Sequence, residues 1–103
     1  MDDAASIDVR NNQRELRYEA WVDGTLAGEI RYRTQPGAVV LVHTEIAPQL
    51  EGQSVASTLV QGALDDIRAH DLRVVPICPF VAAYIKRHSQ YTDLIVDDDA
   101  TPE

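Results

Sequence analysis

A chain of 103 residues suits a single domain of the usual ~100 to 150 residues and leaves no room for a second core. With 45% apolar and 25% charged residues it has the make-up of an ordinary globular domain, which excludes wholesale disorder, and no apolar run nears the roughly 18 residues of a membrane span. A net charge of −8 repels polyanions, so neither nucleic acid nor an anionic membrane is the expected partner.

Residues 6–10 and 15–22 read as strands, the second alternating Leu16, Tyr18, Ala20 and Val22 on a core face against Glu15, Arg17, Glu19 and Trp21. After Asp23-Gly24 the alternation resumes, with Leu26, Gly28, Ile30 and Tyr32 inward and Thr25, Glu29, Arg31 and Arg33 outward. A two-residue Asp-Gly turn would pair Val22 with Thr25 and set the two apolar faces on opposite sides of the sheet. Parity therefore favours an odd loop with Gly24 left-handed, or an added bulge. Gln35-Pro36-Gly37 is the next turn, and Ala38 to Ile46 follows as a nearly unbroken apolar run, the pattern of a central strand.

Pro48 to Gly52 reads as a loop, and residues 53–70 place Val55, Leu59, Val60, Ala63, Leu64 and Ile67 at helical spacing, with Asp65, Asp66 and Arg68 toward water. Leu72 to Ile77 is a second buried strand. Pro79 opens an amphipathic helix carrying Phe80, Val81, Tyr84 and Ile85. The order β-β-β-β-α-β-α predicts an α/β fold on a mixed sheet, with a right-handed crossover making its last strands parallel. Five of the eight excess negative charges lie in 93–103, leaving −3 on the rest, so an acidic frayed tail is expected at the end of a single domain 1–103. Met1-Asp2-Asp3 lacks the basic and apolar pattern of a secretion signal, and a cytosolic location is expected. The lone cysteine, Cys78, excludes an intrachain disulfide, and His43, His70 and His88 show no ligand spacing, so no metal is expected.

Ligands of open α/β sheets bind beyond the carboxyl ends of strands, where strands feed helix N-termini. Two such places exist. One is the entry to the long helix, Gln49 to Ser57, whose free N–H groups favour an anion such as pyrophosphate, although the pattern also suits an ordinary capped helix start. The other is Ile77-Cys78-Pro79, where Cys78 is either an activated thiol at an N-cap or a small buried hydrophobe. His43 and Glu45 alternate on one face near the end of the central strand, close enough to act as a base and its partner, or simply two polar residues where burial ends. Tyr84 reads equally as a core aromatic.

The run Gly24-Thr25-Leu26-Ala27-Gly28-Glu29 in a hairpin, a strand ending at Glu45-Ile46, and Glu51-Gly52-Gln53-Ser54-Val55-Ala56-Ser57-Thr58-Leu59 resembles the acyl-CoA-binding segment of the GNAT superfamily of N-acetyltransferases. Val75 to His88 is similar to the closing strand and helix of a short GNAT-like subfamily, and the resemblance spans roughly residues 6–95. It implies acetyl-CoA as cosubstrate and an amine acceptor. The pyrophosphate would lie on backbone amides of Gly52, Gln53, Ser54, Val55, Ala56 and Ser57, and the acyl arm between splayed strands ending near Ile46 and Cys78. Glu45 or His43 would take the amine proton and Tyr84 would protonate the leaving thiolate, with Cys78 either an acyl-accepting nucleophile or a pocket wall. The family signature, Arg or Gln, two residues, Gly, one residue, Gly or Ala, falls on Glu51, Ser54 and Ala56, so two of its three positions depart. Those departures also suit a non-catalytic CoA-binding or protein-interaction module. Ile7 to Leu16 is too short for the helices that form much of the acceptor site in larger members, so the groove is expected to be open, or completed by a second copy or a partner protein.

Overall fold

A computed structural model describes residues 7–48 and 54–96. The elements follow as β1 (Ile7–Asn12), β2 (Arg17–Val22), β3 (Thr25–Gln35), β4 (Ala38–Ile46), α1 (Val55–Ala69), β5 (Arg73–Pro76) and α2 (Pro79–Arg87), then a 3-10 segment at Ser89–Leu94. The strands lie side by side in chain order, antiparallel up to β4 and parallel between β4 and β5. This is the expected mixed α/β sheet.

Parity in the β2–β3 hairpin is resolved by a bulge and not by an odd loop. Val22 does oppose Thr25 across Asp23-Gly24, and both turn residues are left-handed, at φ 51° and 79°. That is the two-residue turn whose twist matches the strands. Opposite Ala20 and Trp21 stand Gly28 and Leu26, so Ala27 is the extra residue. Ala27 enters the core at 1% exposure, and Leu26 moves to the Trp21 side instead of the inward face expected for it. Leu16, also expected inward, is 45% exposed with φ 56°, because the chain is still turning there between β1 and β2.

The expected spacing of α1 lays Val55, Leu59, Val60, Ala63, Leu64 and Ile67 against Tyr18, Ala20, Ile30, Val39, Leu41 and Val74 of the sheet. Val81, Tyr84 and Ile85 of α2, with Tyr91 and Leu94, join the same core. Asp66 departs from the expectation that it faces water. It is half-buried and accepts the Tyr18 hydroxyl proton at 2.8 Å. Residues 93–96, placed in the expected tail, are held in the fold: Asp93 is paired with Arg68 at 3.0 Å, Leu94 is buried, and the Val96 N–H donates to the Val74 carbonyl. Residues 97–103 lie outside the described residues.

The opposite face of the sheet is polar. Arg17 binds Glu19 at 2.7 Å and Glu29 at 2.8 Å, Arg31 reaches Glu29 at 3.0 Å, and Asn12 and Trp21 each donate to Glu19 at 2.9 Å. Glu19 and Glu29 are thereby 5% and 8% exposed. Buried carboxylates persist only when paired in this way. No described helix is long and apolar enough to cross a membrane.

Two measurements check this packing. A Cβ at Gly62 would stand 2.7 to 3.0 Å from three side-chain atoms of Val9, where α1 crosses β1. Gly62→Ala should therefore lose about 1 to 3 kcal/mol in urea unfolding. In a Val9→Ala background, which removes two of the three atoms and leaves Cβ at 2.9 Å, the loss should shrink without vanishing. The second concerns Glu19: burial pushes its carboxyl up, but the bonds from Asn12, Trp21 and Arg17 together hold it below the ordinary value. A lowered native pKa gives stability that is present above the unfolded value of about 4.3 and is lost as pH falls through the native one. Wild type should exceed Glu19→Gln in urea midpoint at pH 7, and the gap should close on acidification below about pH 4.

Candidate functional site

The site begins where β4 and β5 part. Their ladder runs from Ala38 opposite Arg73 to Leu41 opposite Pro76 and stops. Pro76 has no N–H to continue it. The Ile77 N–H turns back to the Val75 carbonyl at 3.1 Å, the Cys78 N–H takes the Leu41 carbonyl at 2.9 Å, and Pro79 starts α2. Among the described residues no strand pairs with that edge of β4 beyond Leu41, although β4 continues to Ile46.

A second bulge orients what β4 carries. Tyr32 opposes Leu41 and Arg31 opposes His43, which leaves Val42 as the extra residue. The shift moves His43 and Glu45 onto the polar face beside Arg31 and Glu29, with Thr44 and Ile46 on the inner side. A cavity of about 650 Å³ opens there, lined by Leu26, Ala27, Gly28 and Glu29 of β3 and by His43 to Pro48. His43 Nε2 lies 3.4 Å from Glu45 Oε2, and both side chains are more than half exposed. The two residues paired by spacing are thus together in the cavity wall, along with Ile46.

Cys78 is buried at 4% exposure with Sγ 3.2 Å from Thr44 Oγ1, so the thiol reaches the cavity only through the Thr44 side chain. Tyr84 stands apart from the lining. It is buried in the core, stacked on His88 at 3.9 Å and tilted against Tyr91, and its hydroxyl has no hydrogen bond among the described residues. Burial, then the charge of Asp65, raises its pKa, so at neutral pH the phenol keeps its proton. Sequence reading missed Glu29 and Thr44 as cavity residues. Glu29 sat on the polar strand face in the alternation, and only its cross-strand position opposite Glu45 reveals it.

At the start of α1, Ser54 is left-handed with φ 66° and ψ 15°, and makes no side-chain cap. The first helical bond runs from Thr58 N–H to the Ser54 carbonyl at 3.0 Å. The amides of Val55, Ala56 and Ser57 therefore lack intrahelical acceptors, and no acid lies in the first turn. Gly52 and Gln53, expected with them, lie outside the described residues, as does Glu51. No described group of three or more His, Cys, Asp or Glu residues is arranged to hold a metal ion.

The family model described as GCN5-related N-acetyl-transferase matches residues 17–94, from β2 through the 3-10 segment. The chain belongs to the GCN5-related N-acetyltransferase family. Two solved structures share the fold of this family member. One is the solution structure of a GCN5-like N-acetyltransferase candidate from Staphylococcus aureus, with a TM-score of 0.66 at 18% identity over 93% of this chain and 96% of that one. The other is a ribosomal-protein-alanine N-acetyltransferase from Brucella melitensis biovar Abortus, with a TM-score of 0.52 at 19% identity over 84% and 67% of the two chains. None of the curated proteins matches the sequence.

Ser54, the residue on which the resemblance sets an expected glycine, has a left-handed backbone that glycine adopts without Cβ strain. Ser54→Gly should relieve the Cβ strain and raise stability by about 0.5 to 1 kcal/mol, read as a Tm increase of roughly 2 to 8 °C.

Proposed function

We propose that the protein transfers acetyl from acetyl-CoA to an amine. The observation that carries this reading is the parted β4–β5 edge beside a cavity wall that holds His43 and Glu45, with first-turn amides of α1 that lack acceptors among the described residues. These groups fit the cosubstrate's chemistry. Three N–H groups at a helix N-terminus suit a pyrophosphate, and the unpaired edge from Val42 to Ile46 offers backbone donors and acceptors to an amide-bearing arm. Acetyl-CoA supplies an activated acetyl group and a thiolate leaving group.

The remaining work falls to the protein. Glu45, or His43 beside it, takes the proton of the incoming amine directly or through water. Glu29 lies opposite Glu45 but is committed to Arg17 and Arg31, so it shapes the negative wall without serving as the base. Tyr84, held protonated, is the proton donor, and reaching a thiolate requires its buried hydroxyl to open toward the cleft. Cys78 sits behind Thr44, outside the cavity lining, which favours direct transfer over an acyl-cysteine route. The open side of the cavity is closed by the acceptor, by a second copy or by a partner protein.

Acetyl-CoA at ten times its Kd should stabilise the fold by about 1.4 kcal/mol and raise Tm by roughly 6 to 11 °C. No shift at millimolar concentration would remove the reading. With an amine panel in single turnover, losing the group that takes the proton, by Glu45→Gln or His43→Gln, should slow transfer about 100-fold and leave CoA binding unchanged. Cys78→Ser should retain turnover. Its loss, together with an acetylated Cys78 in wild type, would assign the covalent route instead.

A further inference from the structure

At the other end of α1, away from the cleft, a second cavity of about 110 Å³ opens between helix and sheet. Asn11 of β1, Gln13 just beyond it, Tyr18 of β2, Tyr32 and Thr34 of β3, and Asp66 and His70 at the end of α1 form its polar wall. The family chemistry uses none of them. The Tyr18 hydroxyl donates to Asp66 Oδ2 at 2.8 Å, Asn11 Nδ2 reaches the same oxygen at 3.4 Å, and the Tyr32 hydroxyl donates to Asn11 Oδ1 at 2.6 Å. His70 Nδ1 lies 2.8 Å from the Asp66 carbonyl, which can only accept, so in the neutral ring Nε2 is an acceptor.

The groups nearest the carboxylate define the partner it can take. The two phenol protons and the His70 ring proton are spent within the cluster. Gln13, Thr34 and the second Asn11 N–H add donors elsewhere in the wall, while the carboxylate itself offers acceptor capacity at Asp66 Oδ1, 3.4 Å from His70 Nδ1, beside the second lone pairs of both tyrosine oxygens and Asn11 Oδ1. No Lys or Arg is among the described lining residues. The Tyr18 and Tyr32 rings, 5.2 Å apart and inclined by 45°, add two π-faces, and the last turn of α1 adds the negative end of a helix dipole. Burial and the Asp66 charge both hold the Tyr18 phenol protonated. Asp66 is one-third exposed and His70 more than half, which places the mouth at the surface. The volume equals about three or four waters and suits an ammonium head on two or three carbons, not a nucleotide.

We propose that this cavity binds a primary alkylammonium group, with Asp66 as counter-ion and the Tyr18 and Tyr32 rings as walls. The chemistry is shared by short free alkylamines and by the end of a lysine side chain. Ethylammonium chloride and N-acetyl-lysine methylamide probe the two sources in separate titrations of the ¹⁵N-labelled full chain at constant ionic strength. At least one should give saturable shifts at Asn11, Tyr18, Tyr32, Asp66 and His70, with half-saturation at about 1 to 10 mM. Binding of ethylammonium alone assigns a free amine, and binding of the lysine derivative admits a protein side chain. Asp66→Asn should weaken binding at least tenfold. Tyr18→Phe keeps the ring but frees Asp66 Oδ2, and should tighten binding several-fold. The same shifts with KCl, shifts centred on His43 to Ile46, or affinity indifferent to Asp66→Asn would each overturn the proposal. Should Asp66→Asn fail to fold, unchanged or weaker binding by Tyr18→Phe overturns it.

Discussion

The separation of β4 from β5 after Leu41 is the constraint on which the rest of the site depends. Pro76 cannot donate to the ladder, and the next available donor, the Cys78 N–H, closes on Leu41 and sends the chain into α2. One strand therefore ends while its neighbour continues to Ile46. An unpaired strand edge is ordinarily a liability, because it invites pairing with another chain. Here the edge is left open, and the first-turn amides of α1 likewise lack acceptors among the described residues.

Two bulges decide which side chains meet at this edge. Ala27 as an extra residue lets a tight Asp23-Gly24 turn coexist with an inward apolar face, and Val42 as an extra residue turns His43 and Glu45 away from the core. In unbroken register Ile30 would oppose His43, and the exposed pair would point into the layer where α1 packs. Both insertions lie near the cavity, as bulges beside functional sites commonly do. The backbone irregularity thus sets the chemistry available.

The polar sheet face complements this arrangement. Glu29 and Glu45 are directly opposite, a pairing that repels unless one charge is compensated. Arg17 and Arg31 compensate Glu29, and Arg17 also holds Glu19, so the buried carboxylates are committed while Glu45 remains exposed beside His43. Such buried pairs contribute little net stability, but breaking one by removing a single partner is costly, and they hold the wall in one geometry.

Period and composition were enough to determine the element order, the helix faces, the parallel crossover and the proximity of His43 to Glu45, because each depends on spacing within a short stretch of chain. The side of the sheet on which that pair stands was not legible, since strand alternation carries no sign of an extra residue until a partner strand supplies the register. Leu16 and Leu26 left the core for the same reason: a turn and a bulge interrupted a pattern that looked continuous. Asp66 appeared to be a surface acid because its partner Tyr18 lies 48 residues away. Cys78 and Tyr84 were identifiable by position, but only packing placed one behind Thr44 and the other within the core. Local periodicity determined which residues form each element; the pairing of distant strands, where one added residue reverses every side chain after it, decided which of them share a site.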